Sequence, residues 1–148
     1  MRIIIAGSRN FDNYKFLKLH CIKILRELKD LGYNISPNNI EIISGAACGV
    51  DLLGAQFADE VGLKCNLFPA DWDNLKTKPC KIAYNKGKKY NLLAGYNRNK
   101  EMARYANEDK DAILISFWDG KSKSTKNMIE VAKEFNLKIF MIKIEVGD

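Results

Sequence analysis

The 148 residues carry a formal net charge of +6, with 47% apolar and 28% charged side chains, the composition of an ordinary globular chain long enough for one sizeable core. No apolar run nears the roughly 18 residues of a membrane span, and the strand-like "RIIIAG" follows Met1 too closely for a signal peptide. The expectation is one cytoplasmic domain over residues 1–148, without membrane association. Cys21, Cys48, Cys65 and Cys80 form no CxxC pair and no zinc spacing with His20, so free thiols are expected, with no metal and no cofactor. The moderate positive charge suits a phosphate-bearing partner, and a solvated basic face explains it equally.

In chain order, "RIIIA" (2–6) reads as a strand and opens into the loop "GSRNFD". There Gly7 allows a tight turn, and Ser8 and Arg9 point into a crevice where a guanidinium can grip a phosphate or carboxylate. Leu17, Cys21, Ile24, Leu25 and Leu28 recur at helical spacing, with Asp12 as the expected N-cap. The strand "IEIIS" (40–44) leads into "SGAACGVD", where Gly45 and Gly49 bracket Ala46 and Ala47. That turn is bare enough for a ligand to lie against its backbone. Asp51 then either caps the next helix, the cheaper reading, or takes a ribose hydroxyl. Val50, Leu53, Phe57 and Val61 continue the helical period.

The third strand, "KCNLF" (64–68), runs into "FPADW", with Asp71 and Trp72 on its rim. Residues 73–96 are too long for a simple link and carry six lysines, which fits either a basic flap over the site or a solvated loop. "AGYNRNKEM" opens the third helix. Arg98 and Asn99 are expected in its first turn, where a cation opposes the helix dipole unless it serves a ligand or an acidic neighbour. The strand "AILISF" (112–117) ends in "WDGKSKST", placing Trp118, Asp119, Gly120, Ser122, Ser124 and Thr125 before a helix from about residue 125. Gly120 permits a close turn, and the hydroxyls and free backbone N–H groups suit an anion. Met128, Val131, Ala132 and Phe135 follow at helical spacing, then a last strand, "KIFMI" (138–142).

Short β-branched runs alternating with helices predict an α/β fold: a Rossmann-like, doubly wound parallel sheet of five strands in the order 3-2-1-4-5. Ligands in such sheets bind beyond the carboxyl ends of the strands where the chain reverses, between the first and fourth strands. Neither GxGxxG nor GxxxxGK[ST] occurs, which argues against dinucleotide cofactors and P-loop nucleotides. Two arginines, several hydroxyls, bare glycine backbone and aromatic surfaces on one rim read as a nucleotide or phosphoribosyl site. Asp51, Asp71 and Asp119 are the candidate catalytic carboxylates.

The ordered set "GSRNFD", "SGAACGVD", "FPADW", "AGYNRNKEM" and "FWDGKSKSTKNMI" resembles the YspA-like branch of the SLOG superfamily. That superfamily includes the cytokinin-activating phosphoribohydrolases and the Rossmann core of DNA-processing protein A. The likeness runs from about residue 1 to residue 143, and the long basic insert resembles copies carried by bacteriophages. It implies a nucleotide-derived ligand lined by Ser8, Arg9, Gly45, Asp51, Arg98, Asp119, Gly120, Ser122 and Thr125, and pairing of chains into a homodimer or larger assembly. Three departures matter. Cys48 stands where an arginine is common, and Ser124 stands where a glycine precedes the threonine. Thr125 is followed by Lys126, Asn127 and Met128, with Glu130 as the nearest glutamate, whereas the phosphoribohydrolases place acidic residues there. Cleaving an N-glycosidic bond needs a carboxylate. Binding without turnover, as a sensor or, if phage-borne, a sponge for a signalling nucleotide, is therefore the leading expectation. A nucleoside 5′-monophosphate phosphoribohydrolase and a DNA-binding module are the alternatives, and nucleic acid is the least expected partner.

Overall fold

The computed structural model describes residues 1–146. In chain order the elements are β1 (Arg2–Gly7), α1 (Tyr14–Asp30), β2 (Glu41–Ser44), α2 (Val50–Val61), β3 (Lys64–Leu67), β4 (Ile82–Asn85), β5 (Lys88–Asn91), α3 (Ala94–Asn107), β6 (Ala112–Trp118), α4 (Lys123–Glu134) and β7 (Lys138–Lys143). Five strands form a parallel sheet in the order β3-β2-β1-β6-β7, and β4 and β5 form a separate antiparallel pair. The expected order 3-2-1-4-5 is thus replaced, in chain numbering, by 3-2-1-6-7. The difference lies in the insert, where two four-residue strands, IAYN and KKYN, lack the consecutive β-branched run on which the reading was based.

The consecutive apolar residues of β1 feed both faces of the sheet, because side chains alternate along a strand. Ile3 and Ile5 join Leu17, Cys21, Ile24 and Leu28 of α1 and Val50, Phe57 and Ala58 of α2 in one layer. Ile4 and Ala6 join Met102, Ala103 and Ala106 of α3 and Met128, Val131 and Ala132 of α4 in the other. Parallel pairing puts Ile3 beside Ile42 of β2 and beside Ile113 of β6, so the sheet's centre is almost wholly aliphatic. The four cysteines are free. Burial pushes the Cys21 thiol up to about 12, which keeps it an inert core group. No helix among the described residues is long and apolar enough to cross a membrane.

Helix starts differ from the sequence reading by small steps that matter. Asn13, not Asp12, caps α1, its side-chain oxygen accepting from Phe16 N at 3.1 Å. Both are good caps, and only the backbone path chooses between them. α4 begins at Lys123 with Ser122 as its cap. α3 begins at Ala94, so Arg98 and Asn99 are its fifth and sixth residues and lie beyond the first turn. The helix-dipole argument for Arg98 therefore falls away.

Candidate functional site

β1 and β6 are neighbours, with Gly7 opposite Phe117 at their carboxyl ends. From this point the chain runs to β2 and β3 on one side and to β7 on the other, so a crevice opens between the loops that leave β1 and β6. A cleft of about 650 Å³ lies there, lined by Arg9, Trp72, Gly95, Ser122 and Ser124 and by residues of the 73–96 segment. Beneath it a pocket of only about 20 Å³ is bordered by Gly7, Asp51, Arg98, Asn99 and Thr125. Arg9, Ser122 and Ser124 line both.

The loop after β1 divides its labour between two adjacent residues. Ser8 is 2% exposed, and its carbonyl accepts from Val50 N at 3.2 Å, closing the start of α2. Its hydroxyl makes no hydrogen bond of regular geometry. Arg9 is exposed, and its guanidinium stands 5.8 Å from the ring centre of Trp72, within cation–π range. Trp72 packs edge-on to Tyr90 at 6.3 Å and lies over Gly95 of α3, where an added Cβ would come within 3.2 Å of the indole. The cleft thus pairs a cation with an aromatic surface.

The bare backbone of "SGAACGVD" makes room for the chain's own groups. Gly49 sits at φ +80°, and a side chain there would overlap the carbonyls of Ser8 and Arg9. A methyl at Gly45 would come within 2.6 Å of both the Arg98 guanidinium and the Asp51 carboxylate, so these two buried charges approach each other across that glycine. Arg98 is 5% exposed. It donates to Gly45 O and, through Nε, to Asn99 Oδ1 at 3.1 Å. Asp51 is also 5% exposed and accepts weakly from Ala47 N at 3.4 Å. Burial raises the Asp51 carboxyl to about 6, although nearby Arg98 pulls it down. Burial likewise lowers the Arg98 pKa. Ala46 holds a left-handed φ of 60°, uncommon for a residue with a Cβ.

On the β6 side, Asp119 accepts from Lys121 N at 2.9 Å and Ser122 N at 2.8 Å. These backbone donors hold its carboxyl below the usual range, so it shapes the turn around the exposed Gly120. Trp118 donates from Nε1 to Ser122 O at 3.1 Å and packs against the α3–α4 layer. Ser122 caps α4, its hydroxyl 3.0 Å from Thr125 Oγ1. Asn99, 3% exposed, donates to Ser124 O at 3.2 Å and Asn127 Oδ1 at 3.0 Å, tying α3 to α4. Asp71 borders a neighbouring cavity of about 230 Å³ shared with Asn74, Asn97, Arg98 and Glu101, so Arg98 lines both this cavity and the small pocket.

The structure therefore brings Arg9, Trp72, Ser122 and Ser124 to one cleft. It places Gly7, Asp51, Arg98, Asn99 and Thr125 beneath it and Asp71 in the adjoining cavity that Arg98 also lines. Asp73, Asn85, Lys88, Tyr90, Leu92 and Tyr96 also line the cleft; the sequence reading set their segment over the site only as one of two alternatives and singled out none of them. The available signal was the Lys86-Gly87 pair within "YNKGKKY", a glycine-containing two-residue step that suits a tight hairpin turn.

Residues 1–74, half of the chain, match the model of the YspA, cpYpsA-related SLOG family. No curated protein matches the chain. Among solved structures, DNA processing protein A from Streptococcus pneumoniae superposes with a TM-score of 0.62 at 20% identity, over 99% of this chain and 51% of that one. TM1055, a structural-genomics target, superposes with a TM-score of 0.52 at 18% identity, over 93% of this chain and 71% of that one. Both likenesses are of fold, and the chain spans about half the length of DNA processing protein A. The family match ends just as the insert begins, after the three loops that carry Arg9, Asp51 and Trp72. The chain belongs to the YspA, cpYpsA-related SLOG family.

Proposed function

We propose that the chain binds a nucleotide or nucleotide-derived small molecule in the cleft beyond β1 and β6, reversibly and without turnover. Membership of the SLOG family supports a nucleotide-related role. The observation that carries the reading is the exposed Arg9 set against the Trp72 ring, in a cleft that also holds Ser122 and Ser124 at the start of α4. A phosphate is matched by a guanidinium, hydroxyls and backbone N–H groups, and a base by an aromatic face. Such a protein would serve as a sensor or, if phage-encoded, as a sponge for a signalling nucleotide. The test is mass spectrometry of the protein mixed with a broad nucleotide and cyclic-dinucleotide pool, reading bound and free fractions over time. A compound retained intact and lost from Arg9→Ala supports the reading; affinity unchanged in that variant overturns the site.

One observation favours phosphoribohydrolysis as the second reading. Asp51 borders the small pocket with its carboxyl raised to about 6, where a general acid or base works near neutral pH. Asp119 is less suited, because backbone N–H groups already occupy its Oδ1. Free base accumulating with the wild type and not with Asp51→Asn would establish this reading against binding alone.

A further inference from the structure

We infer that the β4–β5 hairpin carries a second anion subsite, and that the ligand of the cleft is a nucleotide bearing two phosphoryl groups set apart from each other. This rests on the nucleotide reading above and narrows its ligand class. In the antiparallel register Ala83 faces Tyr90 and Asn85 faces Lys88, so these four side chains share one face of the hairpin. Ile82, Tyr84, Lys89 and Asn91 share the other. All three hairpin residues that line the cleft, Asn85, Lys88 and Tyr90, come from the first face, while Ile82 and Tyr84 on the second are exposed. One face of the insert is thus dedicated to the cleft.

The hairpin is also held in place. Lys86 and Gly87 form its two-residue turn with φ of 52° and 80°, the doubly left-handed pair that a tight hairpin requires. At the base, Asn91 N donates to Trp72 O at 2.7 Å and Leu92 N to Lys81 O at 2.8 Å. The Asn91 side chain accepts from Lys81 N and Leu93 N. Lys88 is therefore presented by an anchored element.

The two cations of the cleft stand beside two aromatic rings. Arg9 stands over Trp72, Trp72 meets Tyr90 edge-on, and Lys88 lies two residues before Tyr90 on the same face, about 7 Å along the strand. A base or sugar against the rings would have a cation at each end. Lys88 pairs with Asp73 at 3.3 Å, but the two side chains are 74% and 71% exposed. Such a solvated pair holds weakly, so the ammonium is free to exchange Asp73 for a ligand phosphate, with the Asn85 amide as a second donor.

The experiment is calorimetric titration of the intact protein with nucleoside 5′-monophosphates, the matching 3′,5′-bisphosphates and 5′-phosphorylated dinucleotides, for each base. The doubly phosphorylated compounds should bind about tenfold tighter or more. Lys88→Ala should abolish that ratio, Asp73→Asn should enlarge it, and Arg9→Ala should weaken both classes while leaving the ratio in place. Lys88→Ala weakening both classes equally, or no preference in the wild type, overturns the second subsite while the nucleotide reading stands. No binding by any of the compounds overturns the second subsite, and only a failure to retain any compound from the wider nucleotide pool overturns the nucleotide reading as well.

Discussion

Arg98 illustrates how a side chain's chemistry depends on its surroundings. An arginine near a helix start invites a ligand-gripping role, yet this one is buried and donates to Gly45 O and Asn99. It faces Asp51 across Gly45. Its guanidinium compensates a buried carboxylate and braces the turn after β2 against α3. Removing one member of a buried charge pair is far more damaging than removing an exposed one. Arg98→Ala should therefore lower stability by about 3 kcal/mol or more, read as a reduced urea midpoint at unchanged slope. Arg9→Ala, on an exposed residue, should leave the midpoint nearly in place. A midpoint unmoved in Arg98→Ala would mean that Arg98 is free for a ligand after all.

Among the elements, the β4–β5 hairpin is unlike the others. The five-stranded sheet is held by aliphatic layers on both faces, whereas the hairpin has no third strand and depends on its base. Asn91 is 1% exposed and supplies three of the hydrogen bonds there, one from its backbone and two into its side chain. Asn91→Ala should release the hairpin without unfolding the sheet. Hydrogen exchange should then quicken at the Lys81 and Leu93 amides, whose acceptor is gone, while amides in the β1 and β6 ladder keep their protection. Equal loss of protection in both regions would show that the insert is integral to the core.

For the molecule as a whole, the same buried charges set how stability varies with pH. Asp51 has a folded pKa near 6 against an ordinary 3.8, so the folded state holds its proton more tightly than the unfolded chain. Its contribution is fully present below about 3.8, and is lost as pH rises through 6; it is linked to roughly 3 kcal/mol. His20 acts in the opposite sense. Burial lowers its pKa, so acidification through the usual histidine range costs stability. Asp109 and Asp119, both held low by backbone donors, lose their contribution as pH falls below the ordinary carboxylate range. Stability should peak between about pH 4 and 6. Urea unfolding at pH 5 and pH 7.5 should show the wild type gaining more on acidification than Asp51→Asn does, and an identical pH response in the two would refute the assignment.

The sheet was legible because its strands are short consecutive apolar runs that only a two-faced parallel sheet can bury, and the helices carry one apolar stripe each. The crevice beyond the first and fourth runs followed from topology alone, and with it Arg9, Ser122 and Ser124, while Trp72 was read from the end of the third run. The sequence by itself therefore determined the doubly wound frame and the rim where the loops after its first and fourth runs meet. Tertiary structure alone decided the depth of each side chain below that rim. Gly45 and Gly49 look like room for a ligand until Arg98, Asp51 and the Ser8 carbonyl are seen to fill it. Asp71 is an exposed carboxylate, as a rim position implies, but the cavity it borders is the one adjoining the cleft. The cleft-facing side of the hairpin was hidden for a different reason. That side carries Ala83, Asn85, Lys88 and Tyr90, which form no apolar repeat, and hydrophobic periodicity is silent where no core is being built.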